Sequence, residues 1–491
     1  MSTSHSRWGF APLAVLALSG IAGCVDEQIV YRDRDFFEEP LAAAGNFLGY
    51  TDESSKLPVC GNCHVEKQGD WIGTAHADAW AGLQANAGAQ AACEGCHSVS
   101  ELGNSVTATA GFNATGEARY HDVQCESCHG PGLTHVTNPL ESNAPLPPLN
   151  VGTDATLGCA ECHNTNSGSH SPFAEEWNLS RHGGGTPRTS YRTRTGCSNC
   201  HGGEAALAAW GINSEFIEKG ENEAIGITCA VCHDPHANDN AGQLRYSVGA
   251  PDIDTNLCMK CHQRRAIPDL GTGGTSTSGP HSPQGPLLLG EIGTVGWTPP
   301  NFAYNVDRIR GTHGSDRNTR LCATCHVNSY DVTDPGTGGH LFTVTGHRFL
   351  PIPCVDANNL PTTTQTCGKT VAERNFASCT ASGCHGDETA ALSALTLAQV
   401  RIASRVTQLN GLLAQVPSTQ FSSTDTIFTI AEGAKFNAQL GEITSSAVHN
   451  PFLTEALLLS SIDAVRTTYG LPALTNGPQE DLESLIARYG N

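Results

Sequence analysis

Apolar positions are unevenly distributed along the chain, and they predict regular elements only near its two ends. Residues 11–22 form one uninterrupted apolar run that follows Arg7. A run of about a dozen residues is too short to span a bilayer, and it has the length of the apolar part of a signal peptide. No later apolar stretch reaches the roughly 18 residues of a membrane-spanning helix. We therefore expect residues 1–23 to be a signal peptide, and an exported chain without a transmembrane helix.

A first C-terminal helix is predicted over residues 393–416, and Pro417 ends it. Its apolar side chains recur three, four or seven positions apart, which places them on one face of a helix. These side chains are Leu395, Ile402, Val406, Leu409, Leu413 and Val416.

A second helix is predicted to begin with Asn450 as its N-cap and Pro451 at its first position, and to end at Gly470. His449 precedes this cap. We expect His449 in extended geometry, because the cap and the following proline restrict the backbone there.

Cysteine usage changes this picture. The chain has 491 residues, 21 Cys and 21 His, and only 38% of its residues are hydrophobic. The pattern C-x-x-C-H occurs eight times, and a ninth motif has four residues between its cysteines; together they use 18 of the 21 Cys. Numbered in chain order as sites one to nine, the cysteine pairs are Cys60/Cys63, Cys93/Cys96, Cys125/Cys128, Cys159/Cys162, Cys197/Cys200, Cys229/Cys232, Cys258/Cys261, Cys322/Cys325 and Cys379/Cys384.

Neither chance, a zinc ribbon nor a disulfide framework accounts for this pattern. Random placement at these Cys and His frequencies gives far fewer than one match, against eight. A zinc ribbon does not need a histidine directly after every second cysteine. Disulfide geometry does not need one either.

Covalent haem attachment does need that histidine. Two cysteines three positions apart lie about one helical turn from each other, so both thiols reach one edge of a porphyrin. The next imidazole then lies beneath the iron as its proximal ligand. We therefore predict nine covalent haem c groups, with iron bound by His64, His97, His129, His163, His201, His233, His262, His326 and His385.

The opposite ligand of each iron is also predicted to be histidine. Methionine is nearly absent, because Met1 leaves with the signal peptide and Met259 lies inside a motif. His5 also leaves with the signal peptide, so eleven further histidines remain, and nine are needed. The predicted distal ligands are His76, His135, His170, His182, His236, His281, His313, His347 and His449. We expect His121 and one of His340 and His347 to be surface residues, and His340 is the one left out of this ligand set.

Three cysteines lie outside the motifs. Cys354 and Cys367 are predicted to form a disulfide in an oxidising compartment. Cys24 ends the sequence Ile-Ala-Gly-Cys, which resembles a bacterial lipobox, and Val25 follows it. This resemblance implies an outer-membrane lipoprotein, anchored through Cys24 and facing the periplasm or the cell surface.

The net charge is −21, so the chain lacks the basic surface that binds nucleic acid. Sites one to seven follow each other too closely for an ordinary apolar core between them. We predict a mostly α and irregular fold with little regular sheet, cored by haems, and a C-terminal helical segment. The expected segments are a tether at 24–56, three haems at 57–138, four at 139–265, two at 266–391 with the disulfide, and helices at 392–491.

The first three sites carry a family resemblance. Trp71-Ile-Gly-Thr-Ala-His76, and the site-three motif followed by Gly130-Pro-Gly132 and His135, resemble the tetrahaem cytochromes of ammonia oxidisers. The site-six motif followed by Asp-Pro-His236, and Lys435-Phe-Asn437 followed by His449-Asn-Pro451, resemble the wider nitrite reductase and hydroxylamine oxidoreductase group. The resemblance implies ligand roles for His76, His135, His236 and His449.

Two functions remain open at this point. The first is electron transfer through nine haems, with redox partner proteins or an extracellular electron acceptor, and with an oligomer or filament possible. The second is reduction of a small nitrogen or sulfur oxyanion at one five-coordinate haem. The C-x-x-C-K motif of typical pentahaem nitrite reductases is absent from the sequence.

Overall fold

The computed structural model describes residues 44–139, 158–165, 171–183, 189–212, 225–237, 239–263, 279–291, 293–300, 302, 309–363, 366–380, 384–421 and 427–472. The predicted signal peptide, Cys24 and His170 lie outside these residues. Within the described ranges, no helix is both long and apolar enough to cross a membrane.

Most described elements are short helices. The α-helices are α1 Val65–Trp71, α2 Ala79–Gln84, α3 Gly111–Thr115, α4 Cys125–His129, α5 Leu133–Thr137, α6 Cys159–Cys162, α7 Phe173–Leu179, α8 Thr189–Arg192, α9 Ser198–His201, α10 Gly203–Ala209, α11 Cys229–Cys232, α12 Gln284–Leu289, α13 Cys322–His326, α14 Ala377–Thr380, α15 Glu388–Leu413, α16 Ile430–Glu442, α17 Ser446–His449 and α18 Pro451–Tyr469. Short 3-10 helices span Ala44–Asn46, Val59–Asn62, Ala75–Asp78, Ala91–His97, Ala118–Tyr120, Ala241–Gln243, Thr312–Gly314 and Ser418–Phe421.

Regular sheet is limited to two antiparallel pairs among the described residues. β1 (Tyr50–Asp52) pairs with β2 (Leu57–Pro58), and β3 (Tyr330–Thr333) pairs with β4 (His340–Val344). The predicted mostly α and irregular fold is therefore confirmed. The predicted disulfide between Cys354 and Cys367 is present, with Cα atoms 6.0 Å apart.

The long helices α15, α16 and α18 form the C-terminal bundle and carry the largest apolar core. Ile402, Leu409, Leu458 and Val465 are buried there among many small side chains. Towards the N-terminus the apolar clusters are small, such as Phe47, Val99, Ala110 and Tyr120. The region that carries the motifs therefore obtains little of its core from apolar side chains.

Helix α15 starts five residues before the predicted start. The side chain of Asp387 accepts a hydrogen bond from the Ala390 N–H at 2.7 Å, and so caps the helix. The first turns are rich in alanine, which adds little to apolar periodicity. The end at Leu413 lies close to the predicted end.

Helix α18 agrees with its prediction, whereas the expected geometry of His449 was wrong. Asn450 caps α18 by accepting from the Leu453 N–H at 3.0 Å, and Gly470 follows the helix with a φ of 63°. His449 belongs to the short helix α17. The restriction before proline acts only on Asn450, whose φ of −157° and ψ of 84° separate the two helices.

Candidate haem attachment and ligand sites

Most attachment motifs lie on single helical turns. Site three occupies α4, site four α6, site six α11 and site eight α13, while site two lies on a 3-10 helix and site one begins on another. One turn brings both thiols of a motif to the same side. The local structure at these sites therefore agrees with the geometry that attachment at two adjacent positions of a porphyrin requires.

Three motif cysteines have exposed side chains, namely Cys63, Cys159 and Cys384. Cys63 lies just beyond the 3-10 helix of site one, although its N–H still donates to the Cys60 carbonyl oxygen at 3.1 Å and so completes the turn. Cys384 lies beyond α14, which ends at Thr380, because the four-residue spacer is longer than one helical turn.

At site one the second thiol, of Cys63, lies at the surface of the polypeptide, and at site nine the same holds for Cys384. Attachment of haem through Cys63 and Cys384 stays a prediction from the motifs.

Among the described residues, eight motif histidines face a second histidine at a nearly constant distance. The ring centroids of the pairs are separated by 6.2 to 6.4 Å. The pairs, with the motif histidine first, are His64–His135, His129–His236, His163–His76, His201–His281, His233–His347, His262–His182, His326–His449 and His385–His313.

This separation fits one metal ion between each pair. A metal–imidazole nitrogen bond is about 2 Å and the ring centre lies about 1.1 Å further on, so two imidazoles on opposite sides of an ion have centroids about 6.3 Å apart. Rings in direct contact are closer, as in the 3.9 Å stack of His121 on Trp80. The pairs have the spacing of a haem iron with two histidine ligands.

Backbone hydrogen bonds orient several of these imidazoles. A carbonyl oxygen can only accept, so the Nδ1 atom facing it must carry the proton, and the lone pair of Nε2 is left for a metal. Five histidines donate in this way at 2.6 to 2.9 Å. They are His97 to Ala79, His233 to Gly242, His313 to Val448, His326 to Phe349 and His449 to Ser445.

Burial keeps several of the proposed distal imidazoles neutral. Burial, together with nearby histidines, lowers the pKa of His182, His347 and His449 to about 4. Burial also lowers the pKa of His76. Neutral imidazole is the form that binds metal ions, so these groups need not lose a proton near neutral pH.

The predicted distal ligands fall into two groups. Eight of them face a motif histidine in the pairs above, whereas His170 lies outside the described residues. Of the two histidines expected at the surface, His340 is exposed on β4 beside Thr343. His121 differs from that expectation, because it is only partly exposed and packs against Trp80 and Phe112.

The partners of the distal histidines are distant in sequence. His135 follows site three but faces site one, and His236 follows site six but faces site three. His449, near the C-terminal end of the described residues, lies beside His326 of site eight. Each such pair joins two parts of the chain.

Glu176 is a site residue that the sequence did not indicate. It is buried on α7, and its carboxylate accepts hydrogen bonds from the N–H of Thr345 at 2.9 Å and of His347 at 2.7 Å. The Thr345 hydroxyl donates to the same carboxylate at 2.8 Å and lies 3.0 Å from His347 Nδ1. Because the hydroxyl proton points to Glu176, the hydroxyl oxygen accepts from His347, which leaves its Nε2 facing His233.

Comparisons with known proteins agree with this chemistry. The family model of cytochrome c3 matches residues 151–263, and that of cytochrome c554 and c-prime matches residues 59–130. The chain is 24% identical over 472 aligned residues to the C-type polyheme cytochrome OmcC of Geobacter sulfurreducens. The alignment covers 88% of this chain and 57% of the relative, so the chain spans little more than half of its length. No solved structure gives a significant match.

The narrower resemblance to cytochromes of ammonia oxidisers stays a prediction. The two family models and the relative share covalently attached haem c, which is the group that the nine motifs and the paired histidines fit. The chain is a multihaem c-type cytochrome.

Proposed function

We propose that the protein transfers electrons along nine haems, each bound by two histidines. The observation that carries this proposal is the set of eight histidine pairs at a spacing that fits one iron. A haem iron held by such a pair would supply one-electron redox chemistry, and the two histidines would provide its ligands from the protein. A substrate would then find no free position on these irons, which favours electron transfer over reduction of an oxyanion.

The count of nine is part of the proposal. Site two has the full motif Cys93/Cys96/His97, and His97 Nδ1 donates to Ala79 as other motif histidines donate to carbonyl groups. Site nine has the longer spacer, and His385 still faces His313 at 6.3 Å. Mass spectrometry of the intact holoprotein should find nine haems. A count of eight would leave one motif without its haem.

Ligation is tested on the fully oxidised holoprotein by electron paramagnetic resonance. We expect only low-spin ferric signals, and no change in the absorption spectrum when carbon monoxide is added to the reduced protein. A high-spin signal of one haem, together with carbon monoxide binding, would instead support the reductase with one five-coordinate haem.

We also propose an exported protein, anchored in the outer membrane through a lipid on Cys24 and facing the periplasm or the cell surface. The lipobox-like sequence before Cys24 and the oxidised Cys354–Cys367 pair support this location. Redox partner proteins or an extracellular acceptor would exchange electrons with it. Cys24→Ser should move the protein to the soluble fraction, and acylated Cys24→Ser protein in the membrane fraction would contradict the anchor.

A further inference from the structure

We propose that the attachment sites form one continuous series in the order one, three, four, six, seven, eight and nine, with sites two and five beside it. This inference rests on the proposed electron transfer and adds the spatial order of the sites. Haem number in sequence and haem order in space then differ.

The proximity of cysteines from different sites and the ring contacts of two phenylalanines together carry the order. Each motif thiol marks one edge of an attached porphyrin, so adjacent thiols from two sites place two such edges side by side. Thiols within hydrogen-bonding reach of each other join sites one and three, four and six, and seven and eight: Cys60–Cys125, Cys159–Cys229 and Cys258–Cys322. Thiols close enough to interact electrostatically join three and four, six and seven, and eight and nine: Cys128–Cys159, Cys232–Cys258 and Cys325–Cys379.

Aromatic contacts support the middle of the series independently. The ring of Phe173 lies 6.0 Å from His163 of site four and 4.9 Å from His347, the proposed distal ligand of site six. Phe173 therefore lies between sites that are neighbours in the proposed order.

Phe349 occupies the next junction. Its ring lies 5.9 Å from His347 of site six and 4.6 Å from His182 of site seven. Its carbonyl oxygen accepts the hydrogen bond from Nδ1 of His326 at site eight. The backbone of Phe349 has a φ of 55°, a left-handed conformation that a bulky residue rarely adopts. The surrounding packing holds this residue where three successive sites meet.

The arrangement repeats along the chain. In the first unit, site one lies beside site three, and site three lies beside site four. Site two lies beside site four through Cys96 and Cys162. In the second unit, site four lies beside site six, and site six lies beside site seven. Site five lies beside site seven through Cys200 and Cys261. Sites two and five thus hold equivalent positions, and the series continues without either of them.

Two further features recur in the same register. The indole N–H of Trp71 donates to the Val123 carbonyl, and that of Trp177 donates to the Ile227 carbonyl, both at 3.0 Å. Each acceptor lies two residues before the first cysteine of a motif. His76, five residues after the first tryptophan, faces site four, and His182, five residues after the second, faces site seven. In each repeated unit, the histidine that follows the tryptophan therefore faces the last site of that unit.

The order is tested with two variants that each lose one attachment site of the second unit. Cys197→Ser/Cys200→Ser removes site five, and Cys229→Ser/Cys232→Ser removes site six. Both are made in a background with Val65→Cys beside site one, which carries a ruthenium photosensitiser, and with His313→Ala, which makes site nine high-spin. Loss of the high-spin band after a light pulse reports the arrival of an electron at site nine.

We expect the variant without site five to slow the arrival of electrons at site nine less than the variant without site six does. The variant without site six should be slower by at least an order of magnitude, because its gap lies within the series. Equal slowing in the two variants, or no slowing without site six, would overturn the order while electron transfer stands. A background protein whose site nine receives no electron would overturn the order and the proposed function together.

The repeat supplies a second matched pair if the site-six variant does not mature. Cys93→Ser/Cys96→Ser removes site two, and Cys125→Ser/Cys128→Ser removes site three. Loss of site two should slow the arrival of electrons at site nine less than loss of site three does. The haem count of each variant must be one below the background, which ensures that the compared proteins differ by a single site.

Discussion

The C-terminal bundle and the region that carries the motifs obtain their stability from different sources. In α15, α16 and α18, buried leucine, isoleucine and valine side chains form one extended apolar core. In the motif region the apolar clusters contain only a few residues, whereas paired histidines join distant segments. The first region is therefore organised by the hydrophobic effect, and under the proposed ligation the second would be organised by covalent and coordinate bonds to haem.

Removal of haem should produce the largest difference between the two regions, in the protection of their amides from hydrogen exchange. In protein produced without haem attachment, we expect amides across residues 57–385 to exchange rapidly, because the histidine pairs lose the ion between them. Amides of α15, α16 and α18 should stay protected. Hydrogen exchange with mass spectrometry measures both regions in one sample, and strong protection at sites one to seven without haem would contradict the comparison.

A cavity in the C-terminal bundle should destabilise the bundle without loss of haem. Leu409→Ala, at a fully buried position of α15, should cost about 2–5 kcal/mol of unfolding free energy and leave the haem count at nine. Circular dichroism at helix wavelengths measures the change. The matched control is Leu397→Ala on the same helix, where the side chain is 61% exposed and the expected cost is within about 0.5 kcal/mol.

His449→Ala tests the junction of the two regions. His449 precedes α18 and faces His326, so we expect one haem of nine to become high-spin and to bind carbon monoxide while the bundle stays folded. His340→Ala on exposed β4 is the control and should leave every haem low-spin. An unchanged low-spin spectrum in His449→Ala with full haem content would remove His449 from the ligand set.

Glu176→Gln should have the smallest effect, on a fraction of one haem. The amide keeps one acceptor oxygen but loses the charge that receives three hydrogen bonds from Thr345 and His347. We expect partial high-spin character at site six by electron paramagnetic resonance. Glu175→Gln, which changes a carboxylate bonded to Thr165, should not show it. Equal spectra for the two variants would limit Glu176 to a structural role.

Local chemistry explains which features the sequence could predict. The motif indicates both thioether positions and the proximal ligand within a few residues, and Asn450-Pro451 indicates the start of α18. Helix α16 was missed because its buried face is rich in alanine and glycine, such as Ala431, Gly433 and Ala434. Its capping box, Thr429 with Glu432, was a signal present in the sequence.

Long-range pairing explains what the sequence could not give. The set of distal histidines follows from the shortage of methionine and the demand of nine irons, but nothing local says which motif each histidine faces. The Thr345 hydroxyl donates a hydrogen bond to Glu176, which lies 169 residues away in sequence. No sequence pattern next to either residue predicts this hydrogen bond. Such contacts depend on how the sites pack in three dimensions.

Distant ligands also order the completion of the sites as the chain emerges N-terminus first. His76 and His182 are synthesised before the motifs of sites four and seven, so the proposed distal ligands of these sites are present before their cysteines are synthesised. Sites three, six and eight must wait for His236, His347 and His449, which are made later. With the proposed ligands, the irons of these sites would each lack one ligand during that interval, and the synthesis of α17 with His449 would complete site eight last.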